Sequence, residues 1–239
     1  MKIQLMVTCL GDVIRPSAGQ ATVSLLRRLG HSVEFPAAQT CCGQPLFNSG
    51  YAELARNQAR HTIQVFAGGD PVVTPSGSCA AMVKAEFPHL LANDSIWQAR
   101  AVELAARTFE LSDFLVNQLG VTDLGARYQG RVAYHYACHL RALGLLPSTV
   151  ESLLANVEGL TYVPLIRQDQ CCGFGGSFAV RYPHVSGAMV DDKMRCLIQC
   201  GADTVVSTDT GCLMNIGGKL HRDNRDIKVL HLAELLDSR

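Results

Sequence analysis

Two cysteines stand side by side before a glycine at Cys41-Cys42-Gly43, and the same triplet returns at Cys171-Cys172-Gly173. Each pair lies between two single cysteines at matching distances. Cys9 precedes the first pair by 31 intervening residues and Cys79 follows it by 36; Cys138 precedes the second pair by 32 and Cys212 follows it by 39. Eight of the ten cysteines belong to this duplicated frame, so the frame rather than the count is the signal. A thiolate is the form that binds a soft or borderline metal, and a helix N-terminus favours that anionic form. Four converging thiolates per repeat suit an iron–sulfur cluster or a tetrahedral zinc.

Adjacent ligands favour the cluster. Successive side chains diverge, and a multi-iron cluster offers them separate iron atoms where a single ion does not. The glycine after each pair frees the backbone to take left-handed angles close to such a group. The expected metal-binding sets are therefore Cys9, Cys41, Cys42 and Cys79, and Cys138, Cys171, Cys172 and Cys212. Zinc at both sites, as a structural element, is one alternative. Thiol–disulfide chemistry at the vicinal pairs is another. Cys196 and Cys200 lie four apart on one helix face and have no counterpart in the first half, which assigns them to packing.

A chain of 239 residues with 48% apolar and 18% charged residues is an ordinary globular composition, long enough to bury a core without staples. Formal net charge is zero, so neither a nucleic-acid-binding patch nor a solvating acidic tail is indicated. The start, Met1 to Val7, reads as a first strand rather than a signal peptide. No apolar run approaches the roughly 18 residues of a membrane span. These features predict a cytoplasmic protein, where abundant cysteine points to metal or redox chemistry more than to structural disulfides.

The elements that must position the thiols alternate. Strands are expected over 3–7, 32–35 and 71–74, with helices over 21–29, 51–66 and 96–119, the last ending at Gly120. The order then restarts, with strands over 131–136, 161–163, 204–207 and 227–230 and helices over 149–155, 185–200, from Cys212, and 231–236. The halves align with offsets of 129 from Cys9 to Cys138, 130 between the pairs and 133 from Cys79 to Cys212. The predicted fold is α/β: a tandem repeat of two strand–helix units related by a pseudo-twofold, with parallel sheets and helices on their faces. The division falls at residues 1–125 and 126–239. In such sheets sites gather at the carboxyl ends of strands, where each cysteine position falls.

The stretches Val7-Thr8-Cys9-Leu10-Gly11-Asp12, Cys41 through Tyr51, Pro75-Ser76-Gly77-Ser78-Cys79, Cys171 through Gly176, and Gly211-Cys212-Leu213-Met214-Asn215 resemble the cysteine-rich CCG domain family over essentially the whole chain. That family occurs in one of the subunits of heterodisulfide reductase and in iron–sulfur subunits of glycolate- and lactate-oxidising systems. The resemblance implies an electron-transfer subunit carrying two [4Fe–4S] clusters in a complex that oxidises L-lactate, a small 2-hydroxy acid, to pyruvate. It implies two partners, a ferredoxin-like iron–sulfur subunit and a third subunit. Heterodisulfide reductase relatives carry five cysteines per motif, ending in Cys-x-x-Cys, around noncubane clusters. Here Ser76 and Asp209 replace the first cysteine of that pair. Four thiolates per site match an ordinary [4Fe–4S] cluster, and Ser76 and Asp209 are expected to cap the helices that follow, the other reading being an oxygen ligand to the cluster.

His135, His139 and Arg141 surround Cys138. They are read as a strand-end histidine and a solvated helix start, the other reading being a proton donor or a positive charge for a carboxylate. Gly173-Phe174-Gly175-Gly176 lacks the spacing of a dinucleotide or P-loop motif. Trp97, Tyr51 and Phe174 are expected to pack.

Overall fold

In the computed structural model, which describes residues 1–239, the chain forms two four-stranded sheets, each parallel throughout. The first half runs β1 (Lys2–Leu5), α1 (Cys9–Ile14), α2 (Pro16–Arg28), β2 (Ser32–Glu34), α3 (Gln44–Asn48), α4 (Ala52–Val65) and β3 (Val72–Thr74). It continues with α5 (Gly77–Ala81), a π-helical turn at Met82–Glu86, α6 (Phe87–Leu90), α7 (Ser95–Ala106), β4 (Thr108–Glu110), α8 (Leu111–Asp113) and a second π-helical turn at Phe114–Gln118. The second half repeats the plan: β5 (Arg127–Tyr134), α9 (Cys138–Ala142), α10 (Pro147–Leu154), β6 (Glu158–Tyr162), α11 (Ser177–Arg181), α12 (Pro183–Cys200), β7 (Thr204–Ser207), α13 (Thr210–Arg222), β8 (Lys228–His231) and α14 (Leu232–Asp237).

The strand orders are β2-β1-β3-β4 and β6-β5-β7-β8, the same order twice. The chain steps from β1 outward to β2 and then back across to β3, which makes a topological switch point at the carboxyl ends of the central strands. β3 and β7 are buried along their whole length. Their runs Val72-Val73-Thr74 and Thr204-Val205-Val206-Ser207 suit a strand covered on both faces.

The single long helix expected over 96–119 is corrected. α7 stops at Ala106, and Thr108–Glu110 forms an edge strand paired with β3 in the register Val72 to Thr108 and Thr74 to Glu110. No glycine or proline marks this break. Tertiary bonds make it: the Arg107 guanidinium donates to the carbonyls of Phe66 at 2.5 Å and Asp70 at 2.8 Å. The Glu110 carboxylate then caps α8 through the backbone N–H of Ser112 at 2.7 Å. Each unit thus has four strands where three were expected in the first.

The two halves share one interior. The largest buried cluster joins Ile3, Leu25, Val73, Leu111 and Phe114 of the first half to Val132, Tyr134, Leu153, Leu232 and Leu236 of the second. Helices meet across the seam in pairs that a pseudo-twofold exchanges: α2 on α14 and α10 on α8, then α5 on α9 and α1 on α13. On the first of these contacts, Arg15 donates to the Glu234 carboxylate at 2.6 Å and Arg28 to Asp237 at 2.8 Å. No helix is long and apolar enough to cross a membrane.

Candidate metal centres

Each of the eight frame cysteines stands beyond the carboxyl end of a strand for a local reason. Thr8 leaves β1 in extended geometry and caps α1, its hydroxyl accepting from Gly11 N at 2.9 Å, which makes Cys9 the first helical residue. Ser76 does the same after β3, accepting from Cys79 N at 3.3 Å. Cys138 opens α9 after β5. Cys212 lies in the first turn of α13, which Asp209 caps through Gly211 N at 3.2 Å. The caps expected of Ser76 and Asp209 are therefore present. The vicinal pairs lie on the loops after β2 and β6, closed by glycines at φ +84° (Gly43) and +83° (Gly173).

The eight thiols gather as two quartets. In the first, Cys9 Sγ lies 3.6 Å from Cys41 Sγ, and the free thiol of Cys42 lies close enough to Cys41 and Cys79 for each to shift its titration. In the second, the chain of contacts is Cys138 to Cys171, Cys171 to Cys172, and Cys172 to Cys212. Although adjacent side chains tend to diverge, each vicinal pair turns both sulfurs into its set. Cys42, Cys79, Cys172 and Cys212 are buried and Cys9 is exposed. An open cleft of about 220 Å³, lined by Val7, Thr8, Cys9, Phe35, Gln39 and Cys41 among others, leads to the first set. Cys196 is buried apart from both chains of sulfur contacts, 4.0 Å from Gln170 Oε1, and Cys200 donates to Leu197 O within its own helix.

The electrostatics favour a cation in each quartet. Donation from Cys42 and Cys9, with the Gly43 N–H, pulls the Cys41 thiol far below its usual range. Donation from Cys138 and Cys172, with the Gly173 N–H, does the same to Cys171. The flanking thiols that hold those protons are pushed up, Cys9 and Cys138 by this sharing and by burial. A metal that displaces the shared protons relieves the whole set, since thiolates are its ligands. Four sulfurs apiece match the donor number of an iron–sulfur cluster or a tetrahedral zinc.

One polar group near the second quartet has no protein partner. His135 is fully buried, and neither ring nitrogen makes a hydrogen bond. A ring nitrogen and the sulfurs of Cys172 and Cys212 all lie within 4.8 Å of one another. Burial, together with nearby Lys193, lowers its pKa to about 3, so the ring is neutral. Buried polar groups are nearly always satisfied, and a group seated among the sulfurs would supply the missing partner. His139 is not a solvated helix start. Its Nδ1 lies 3.6 Å from Cys138 Sγ and its Nε2 3.1 Å from Gln44 Nε2, which also donates to Ser78 O at 3.2 Å. This bridge ties the loop of the first quartet to the second. Arg141 is exposed beside Asp169. Trp97 and Phe174 pack, whereas Tyr51 is 54% exposed, against expectation.

Sequence reasoning missed Lys193 and Gln44. Lys193 lies in the buried stripe Ser186, Val190, Lys193, Met194, Leu197 of α12, and its ammonium donates to Arg167 O at 2.9 Å. A lysine on an apolar stripe was a visible signal. Gln44 offered none, because its partner His139 is 95 residues away.

A fold of two parallel units, each gathering four thiols at its switch point, defines a duplicated cysteine-rich α/β protein. The chain belongs to the cysteine-rich CCG domain family, whose sequence model matches residues 3–84 and 132–217. It is similar over its full length to Lactate utilization protein A of Geobacillus sp. (strain WCH70), 48% identical over 239 residues and covering 100% of both chains. It is also 48% identical over 237 residues to the protein of that name from Exiguobacterium sp. (strain ATCC BAA-1283 / AT1b), covering 98% of this chain and 96% of that one. Among solved structures, a hypothetical protein from Helicobacter pylori superposes with a TM-score of 0.69 at 12% identity. That likeness covers 98% of this chain but 48% of the other, and it concerns the fold alone.

Proposed function

We propose that this chain serves lactate utilization as an iron–sulfur electron-transfer subunit of a cytoplasmic system oxidising L-lactate to pyruvate. The observation that carries the reading is the pair of four-sulfur sets, one at each switch point, in a chain similar end to end to Lactate utilization protein A. Cys9, Cys41, Cys42 and Cys79 would hold one [4Fe–4S] cluster, and Cys138, Cys171, Cys172 and Cys212 the other. When bound, such a cluster supplies reversible one-electron chemistry. The protein's own contribution is to shape and insulate. Gly43 and Gly173 turn backbone N–H groups toward the sulfurs at 3.5 and 3.4 Å, and such donors tune a cluster's potential. Each vicinal pair buries one sulfur and leaves its neighbour half-buried. The seam of the duplication falls between residues 125 and 126. A ferredoxin-like iron–sulfur subunit and a third subunit complete the system.

The test is anaerobic purification followed by iron and sulfide quantification. The reading expects about eight irons per chain and an absorption band at about 400 nm that bleaches on reduction. Colourless protein with stoichiometric zinc under the same conditions overturns it in favour of a zinc-stabilised scaffold.

A further inference from the structure

The two quartets match in sulfur but not in what surrounds them. The residue three before Cys138 is His135; the residue three before Cys9 is Met6. Both are buried at the end of the first strand of their unit. Met6 packs in one cluster with Cys42 and Cys79, as a ring nitrogen of His135 lies beside Cys172 and Cys212. A thioether thus stands where the other half places an imidazole.

A second difference lies on the helix behind each vicinal pair. A Cβ on Gly43 would meet Ala55 O and the side chain of Gln58, and one on Gly173 would meet Ser186 O and the Met189 side chain. This aligns α4 with α12 at an offset of 131. By that offset Lys193 occupies the place of Thr62, whose hydroxyl bonds back to its own helix at Gln58 O. Lys193 is completely buried; burial lowers its pKa, and the neighbouring Cys196, Cys172, Asp169 and Cys212 oppose that and favour its charged form. The ammonium is anchored on the carbonyls of Arg167 and Gln168, just ahead of the vicinal pair. The first quartet has neither the buried cation nor the buried nitrogen.

We infer that His135 and Lys193 make the two centres unequal, holding the one at Cys138, Cys171, Cys172 and Cys212 at the higher reduction potential. The inference rests on the iron–sulfur reading above. Reduction adds negative charge. A fixed buried cation stabilises that charge by Coulomb attraction in a low dielectric. An N–H aimed at cluster sulfur does the same by withdrawing electron density. Four thiolates already supply one ligand to each of four irons, so the imidazole has no vacant iron to take. Its role is donation, through the ring N–H that has no protein acceptor. His135 and Lys193 are positioning residues, and at equilibrium a single reducing equivalent resides on the second centre.

The experiment is an EPR-monitored redox titration of anaerobically purified protein, with iron and sulfide counted in every sample. Wild type is expected to reduce in two resolved steps, and Cys42→Ala, which keeps only the second centre, identifies the higher one. His135→Met and Lys193→Met are each expected to lower that step at least tenfold in equilibrium constant, about 59 mV for one electron, leaving the other step in place. Met6→His, the reverse exchange, is expected to raise the lower step. If His135→Met does not retain its iron, Met6→His decides alone. Unmoved potentials in variants that keep full iron overturn the inference while the cluster assignment stands. A wild type without iron removes the reading beneath it.

Discussion

Glu110 offers a quantitative test of how the seam is built. Its side chain ends β4 at the junction of the two halves, is 1% exposed, and caps α8 through one oxygen. The other oxygen, Oε1, has no hydrogen-bond partner. Burial raises the carboxyl from 4.5 to about 7, even though the bonds from Ser112 pull it down. Below pH 4.5 the folded and unfolded chains are both protonated here and the group is neutral to stability. Between about 4.5 and 7 the unfolded chain has released its proton while the folded chain keeps it, so stability falls as pH rises. Above about 7 the loss is complete. A rise of about 2.5 pH units at about 1.36 kcal/mol each is ~3 kcal/mol, of which ~2.5 kcal/mol opens between about pH 5 and pH 8.5. Glu110→Gln keeps an acceptor for Ser112 and cannot ionise. The variant should therefore gain on wild type across that range, by ~5–10 °C in melting temperature at the alkaline end. Urea unfolding followed by the fluorescence of Trp97, the only tryptophan, measures the difference under anaerobic conditions. A difference between the two proteins that stays constant from about pH 5 to pH 8.5 would refute the reasoning.

Three further outcomes are expected. Cys42→Ala and Cys172→Ala should each halve bound iron, and Cys196→Ala should leave it unchanged; full iron in either of the first two breaks the ligand assignment. Gly173→Ala should cost ~2–4 kcal/mol, because its Cβ would fall 2.7 Å from the fixed carbonyl of Ser186 in a left-handed backbone. Gly43→Ala should cost less, because its Cβ would meet the Gln58 side chain at 3.0 Å while the nearest backbone atom, Ala55 O, stands off at 3.9 Å; equal urea midpoints contradict this. Glu234→Ala should lose ~2–3 kcal/mol, since the carboxylate serves Arg15 and Ser17 across the seam and the His231 N–H at the start of its own helix. A double-mutant cycle with Arg15→Ala should return a coupling above ~1 kcal/mol.

The cysteine frame was legible because strand ends and helix starts recur at fixed spacing, and the same periodicity carried the parallel α/β architecture. β4 was not legible. Ala105-Ala106-Arg107 continues a good helix pattern, and only the distant carbonyls of Phe66 and Asp70 stop it. The surroundings of His135 were hidden for a similar reason. A histidine at a strand end looks alike in sequence whether water or packed helices lie beyond it, and here packing leaves it fully buried. Lys193 could have been read, since it interrupts an apolar stripe of its own helix.

Ser76 and Asp209 occupy equivalent places in the two units, and they touch. Asp209 Oδ2 accepts from Ser78 N at 2.9 Å and lies 3.4 Å from Ser76 Oγ. One acid thereby steadies both helix starts at once, Oδ1 serving its own and Oδ2 its neighbour's. A symmetric dimer assembled from two copies of the second unit would press carboxylate against carboxylate at that point, and like charges so close cannot both ionise freely. Joining the copies in a single polypeptide is what allows one member of this contact to be acidic and the other neutral.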